Sequence, residues 1–180
     1  MSILQGFTFA GAHSSSVGLY TDISTRAVRA ALRTVRYTVP GRSGTRDYGG
    51  DTFDLLEVPL RLYYRERRPA DLRQRQREIG AFLARSGRLV FDDEPDKAYA
   101  GKIEAAVAAE ELVQIGSMEV TFICQPWAES LNYRQLTVAA QSLPVTLTPE
   151  LLGNQETPCL IRIVTSGSIS GLKVIRTRPD

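Results

Sequence analysis

The residues that could do chemistry are few, and their spacing suits little of it. The single histidine, His13, stands beside Ser14, Ser15 and Ser16. A serine nucleophile needs a base within hydrogen-bond reach and a third group to orient that base. Neighbours in one loop rarely meet that geometry, so this segment reads as a turn or cap. No G-x-S-x-G elbow is present. Cys124, Cys159 and one histidine do not make a zinc pattern. A disulfide between the two cysteines would contribute roughly 3–4 kcal/mol. The favoured reading is two free, buried thiols acting as small hydrophobes. Asp92, Asp93, Glu94 and Asp96 offer oxygen ligands but lack EF-hand spacing and its central glycine. They read as a solvated turn between strands. Gly41, Gly44, Gly49 and Gly50 lack the lysine and the following helix of a phosphate-binding loop. They read as sites of positive φ in a protruding arm. The expectation is a chain with no catalytic residue, no metal site and no cofactor.

Basic side chains cluster between residues 61 and 88, and all of them are arginine. Arg65, Arg67 and Arg68 precede an expected helix, and Arg73, Arg75, Arg77 and Arg85 lie on it or near its end. Arginines contact phosphates in a salt-dependent way. Here no aromatic residues are interleaved as stacking platforms, and no nucleic-acid motif appears. The favoured reading is a solvated face, or charges that pair with acids of a neighbouring subunit. The formal net charge of +2 points to neither a nucleic acid nor a membrane as partner.

The elements that must position these residues are mostly strands. Leu56, Val58, Leu60, Leu62 and Tyr64 alternate with Glu57, Arg61 and Tyr63, the period of a half-buried strand. Pro59 lacks a backbone donor, which places it at a sheet edge or bulge. Alternation recurs at Tyr99, Ile103, Ala105 and Val107. It recurs again at Met118, Val120, Phe122 and Cys124, with Gly116 before that run suggesting a bulge or bend. Shorter strand candidates span residues 3–9, 17–22, 35–39, 88–91, 134–139, 143–147, 159–164 and 172–176. One helix is expected from Pro69, with Asp71 favoured at its positive end. Its apolar stripe is Leu72, Ile79, Phe82 and Leu83, and Gly87 is its expected stop. Ile79→Asp would bury an unpaired charge and unseat it. Residues 24–33 carry no clean pattern.

At 180 residues, 43% hydrophobic and 23% charged, the chain fits one globular domain, or one plus part of a second. A boundary is expected near residue 145, giving domains 1–144 and 145–180. No run of 18 apolar residues is present, and the first residues lack the regions of a signal peptide. The chain therefore reads as made and kept in a cytoplasm. The fold class is mainly β with one packed helix, a sheet or sandwich under a helix.

Four motifs together resemble the phage distal tail protein family of long, non-contractile tails. They are residues 6–15 (GFTFAGAHSS), residues 39–44 (VPGRSG) followed by Asp47, Tyr48 and Gly49, the turn at residues 91–96, and residues 122–128 (FICQPWA). The resemblance covers roughly residues 3–130. It implies a tail-tube-related β-sandwich or barrel-like domain that assembles into a ring, usually hexameric. That ring would join the tail tube to the tail-tip hub and the host-adsorption apparatus of the virion. DNA would pass through its channel without specific binding, and assembly would occur in the bacterial host cytoplasm. A long hairpin arm at residues 39–53 would clasp the next subunit through Arg42, Asp47, Tyr48 and Phe53. The helix arginines would point away from the lumen, because a channel that grips phosphates would hold DNA back.

Many family members continue into a carbohydrate-binding-like β-sandwich that opens much as residues 159–163 do here. Residues 145–180 are too few for that domain. Two alternatives stay open: a carbohydrate-binding module for host adsorption, for which the single Trp127 is poor support, and another tube-fold tail or baseplate component. Spontaneous long tubes would mark the second.

Overall fold

The computed structural model describes residues 5–22, 26–27, 29–50, 52–65, 69–112, 115–132, 134–139, 144–149, 153, 159–168 and 170–175. Contacts divide the chain into two compact units, Met1–Arg134 and Gln135–Asp180. Ile3, Arg67, Arg68, Leu143 and Arg176, named above, lie outside the described residues.

The first unit is built on two ten-residue strands whose alternation buries one whole face. These are β6 (Leu56–Arg65) and β10 (Ile115–Cys124), paired antiparallel from Leu56–Cys124 to Arg65–Ile115. The other elements of the sheet are β1 (Phe7–Phe9), β2 (Ala12–His13), β3 (Leu19–Asp22), β7 (Ser86–Phe91) and β8 (Lys97–Ile103). The order is β2-β1-β7-β8-β10-β6-β3, antiparallel throughout. Two short strands extend it: β9 (Ala109–Leu112) on β10 and β11 (Glu129–Ser130) on β8. A separate pair, β4 (Arg36–Thr38) and β5 (Thr45–Asp47), forms its own two-stranded ladder.

The one α-helix among the described residues, α1 (Pro69–Leu83), belongs to the same core. Leu72, Ile79, Phe82 and Leu83 are buried there, together with Leu60, Leu62, Val120 and Phe122 of the sheet. Phe82 meets Phe7 and Phe9 at ring centroids 6.0 and 6.1 Å apart, and Phe122 meets Phe9 edge-on at 4.9 Å. Burying each such side chain contributes roughly 1.5–3 kcal/mol, so this aromatic knot is the thermodynamic centre of the unit. Among the described residues, no helix is long and apolar enough to cross a membrane. The expected mainly-β fold with one packed helix is the observed one.

Several local expectations give way to packing. Gly116 makes no bulge. It pairs with Tyr64 in an unbroken ladder, and a Cβ there would lie 2.0 Å from the Tyr64 ring. Gly87 does not stop the helix, which ends at Leu83. It lies in β7 opposite Gly101, close under Ala10. Among the described residues β3 pairs with β6 from Arg61 to Tyr64, and Pro59 has its paired neighbour, Thr121, on the β10 side. The strand expected through Ala105 and Val107 ends at Ile103. β10 changes partner there, from β8 at Phe122–Cys124 to β9 at Ile115–Met118, and residues 104–108 bridge the change.

The second unit differs from expectation. Residues 134–139, 144–147, 159–164 and 172–175 form no strand. Leu136, Leu160, Ile161, Val164, Leu172 and Ile175 are exposed. Alternation alone does not make a strand: its amides need a partner and its apolar face needs a cover.

Candidate functional site

The arm departs from the body at a fixed base. Leu32 bridges Phe53, Arg33 N–H donates to the Thr52 carbonyl at 2.8 Å, and Asp54 N–H donates to the Ala31 carbonyl at 2.8 Å. Phe53 is half-buried and stacks edge-on against Trp127 at 4.6 Å, which ties the base to the chain following β10. Further out, Tyr48 N–H donates to the Val35 carbonyl at 2.8 Å, and the ladder continues to Thr38–Thr45. In the outer register Leu32 would face residue 51, yet it faces Phe53. The returning leg therefore carries two extra residues, which bend and twist the hairpin as a bulge does. Gly49 permits this, since a Cβ there would sit 2.1 Å from the Arg33 carbonyl oxygen. The tip turns through Gly41 and Gly44, both at positive φ (78° and 88°).

The four residues expected in this arm fall at three levels of it. Arg42 is exposed at the tip. Asp47 works within the hairpin: its Oδ1 accepts from the Val35 and Gly49 amides at 3.2 and 2.9 Å, and its other oxygen lies 3.9 Å from Arg36 Nε. Tyr48 is 59% exposed, with its ring edge-on to Tyr37 at 5.7 Å and Arg46 above it at 5.4 Å. Phe53 anchors the base. Val35, Tyr37, Val39 and Tyr48 give the arm an exposed apolar surface that the chain itself leaves uncovered. An exposed, two-stranded, apolar hairpin is a surface suited to a partner.

The histidine segment is better organised than its sequence suggests. His13 caps the 3-10 turn Ser14–Val17, its Nδ1 accepting from the Ser15 amide at 3.2 Å and lying 2.7 Å from Ser15 Oγ. Its Nε2 faces Asp92 at 3.2 Å, and Asp92 also accepts from the Gly6 amide at 3.1 Å. An Asp–His–Ser chain results. Nothing in the sequence pointed to Asp92, which is 79 residues distant. The backbone amide of Ser15 already occupies Nδ1, so the arrangement serves as the expected cap and ties the first strands to the β7–β8 turn.

The acidic turn is neutralised acid by acid. Arg26 pairs with Asp93 and lies 3.9 Å from Glu94, with its guanidinium 4.4 Å over the Phe91 ring. A hydrogen bond from the neighbouring Lys97 holds the Asp96 carboxyl below its usual value. Burial, reinforced by Glu94, raises the Tyr99 phenol. No three His, Cys, Asp or Glu side chains among the described residues gather as a metal site. Both cysteines are free. Cys124 is buried as expected, and desolvation pushes its thiol up to about 11. Cys159 is instead exposed, because no strand forms around it to cover it. On the helix, Arg75 pairs with Glu78 at 3.0 Å and Arg77 donates to Gln74 at 3.3 Å, side-chain contacts along an exposed face.

Residues 18–124 match the family described as the phage tail protein RIFT-related domain. The chain belongs to that family. It is thus a component of phage tails, and its family is a structural one. Among solved structures, this RIFT-related chain is similar to the crystal structure of SPP1 Dit (gp 19.1), described as a paradigm of the hub adsorption apparatus in phages infecting Gram-positive hosts. The TM-score is 0.59 at 18% identity, over 71% of this chain and 53% of that one, so the likeness is one of fold. The chain spans about half the length of that structure. No curated protein sequence matches it. The expected kinship with distal tail proteins is met in family and fold.

Proposed function

We propose that this RIFT-related chain assembles head to tail into a closed ring, a hexamer, at the phage tail tip. The ring joins the tail tube protein to the tail-tip hub and surrounds the DNA channel without gripping the DNA. The arm clasps the next copy, with Arg42 and Tyr48 at the contact. Asp47 stiffens the arm and Phe53 holds its base. The observation that carries this reading is the arm itself: a hydrogen-bonded hairpin that presents Tyr37 and Tyr48 to solvent on a domain of a tail family. Contacts between two different patches close into rings when the rotation between copies closes. The role is structural, with no enzymatic step.

Negative-stain electron microscopy of the purified protein tests it. Single annular particles with a central hole are expected. Long tubes would favour a tube component instead, and separate compact particles at micromolar concentration would contradict the ring.

A further inference from the structure

We infer that the outer face of the sheet, where β3, β6 and β10 run side by side, carries a binding site for a neutral saccharide. The core face of these strands is sealed by apolar side chains. The opposite face presents polar and aromatic ones in a fixed register. Tyr20 pairs with Tyr63, and Tyr63 with Ser117. Two residues along the strands, Asp22 pairs with Arg61, and Arg61 with Glu119. The Thr21 hydroxyl donates to the Arg61 carbonyl at 3.2 Å, which locks β3 to β6 at this level. On the other side of β10 the sheet has a mismatch. β8 leaves it at Ile103–Phe122 and β9 joins it at Ala109–Met118, so residues 104–108 span only residues 119–121 and must arch out. Ala106 and Ala108 of that arch wall a hollow of about 260 Å³, lined further by Arg61, Ser117, Met118 and Glu119. Sites for drug-sized ligands run from about 300 to 1,000 Å³, so this one suits a single small unit. The open sheet beside it, roughly 10 Å from Ser117 across to Tyr20, lets a chain of such units continue.

Three observations select a saccharide. The first is the pair of charged groups. Arg61 and Glu119 are exposed partners in the ladder, yet among the described residues neither forms an ion pair. The guanidinium offers a fork of donors and the carboxylate a pair of acceptors. Neighbouring hydroxyls on a sugar ring each donate and accept, so one ring can satisfy both groups at once. The second is the aromatic floor. The Arg61 guanidinium lies 5.8 Å from the centre of the Tyr63 ring, a contact that steadies the fork over the sheet. Tyr20, 46% exposed, offers an apolar ring face to the C–H face of a sugar and a phenol to its rim. Trp127 does not serve here, because its ring is engaged by Phe53 at the base of the arm. The third is charge. Arg61 stands between Asp22 and Glu119, a net −1 at the site, which disfavours phosphate-bearing and uronate-bearing chains.

The test is saturation-transfer NMR on the full-length chain, a measurement that works for monomer and ring alike. The probes are linear hexasaccharides of glucose, mannose, galactose and N-acetylglucosamine, with a galacturonate hexasaccharide as the anionic comparison. Transfer to at least one neutral chain is expected, with weaker transfer to the anionic one. Glu119→Gln keeps the shape of the side chain and removes its charge, and Tyr20→Ser removes the exposed ring. Each is expected to weaken binding roughly tenfold or more, with unchanged far-ultraviolet circular dichroism. Tyr37→Ser with Tyr48→Ser, in the arm, should leave binding unchanged, which separates this site from assembly. No transfer to any of the four neutral chains would overturn the proposal. So would stronger transfer to the galacturonate chain, or binding that survives Glu119→Gln and Tyr20→Ser at full strength, or binding lost with the arm substitutions instead.

Discussion

The β6–β10 pair and the arm are both two-stranded antiparallel ladders of one chain, yet opposite forces hold them. Every second residue of β6 and β10 is buried, and α1 packs in the same core. The arm has ladder hydrogen bonds and a bulge but no buried face, and residues 35–48 are exposed. An isolated hairpin is marginal in water. The body is therefore stabilised by burial, and the arm by its hydrogen bonds, the Tyr37–Tyr48 and Phe53–Trp127 ring contacts and the Arg36–Asp47 pair. On the ring reading proposed above, that surface serves another copy of the chain.

Substitutions should separate the two regions. Phe122→Ala removes a fully buried ring from the aromatic knot and should cost about 3–5 kcal/mol, read as a lower denaturant midpoint with the arm's hydrogen bonds unaltered. Gly116→Ala places a methyl group against the Tyr64 ring and should cost about 1–3 kcal/mol. Asp47→Ala should leave global unfolding unchanged. It should speed hydrogen exchange of the Val35 and Gly49 amides, since each lost bond is worth about 1 kcal/mol locally. A drop in global stability from Asp47→Ala would mean that arm and body are one cooperative unit.

The thiols give the smallest and most local contrast. Cys159 should react at once with a thiol reagent, and Cys124 only on unfolding. The Cys124 thiol is raised from 9.0 to about 11 by burial. The fold therefore favours its neutral form. That contribution is intact below pH 9, where the unfolded thiol is also neutral, and is lost as the pH rises toward 11. Unfolding midpoints measured between pH 8 and 11 should fall over that window, and the fall should shrink in Cys124→Ala to the part that the raised Tyr99 phenol contributes.

The sequence showed the body more clearly than the arm's supports, and the reason is physical. Alternation at residues 56–64 and 118–124 and the helical stripe through Leu72, Ile79 and Phe82 are one-dimensional records of a buried face, so they could be read directly. Tyr64 against Gly116 is a contact across the sheet, and a lone glycine carries no record of its neighbour. Asp92 with His13, and Phe53 with Trp127, are likewise pairings that only the fold creates. The same alternation at residues 159–164 predicted a strand that does not form, because period two records a capacity for pairing and not the presence of a partner.

Assembly through the arm is tested most directly by light scattering of the purified chain across concentration. The predicted result is one discrete species near six times the 19.9 kDa chain mass, abolished by Tyr37→Ser with Tyr48→Ser while the fold persists. A monomer at every concentration, or an oligomer indifferent to those two substitutions, would contradict it.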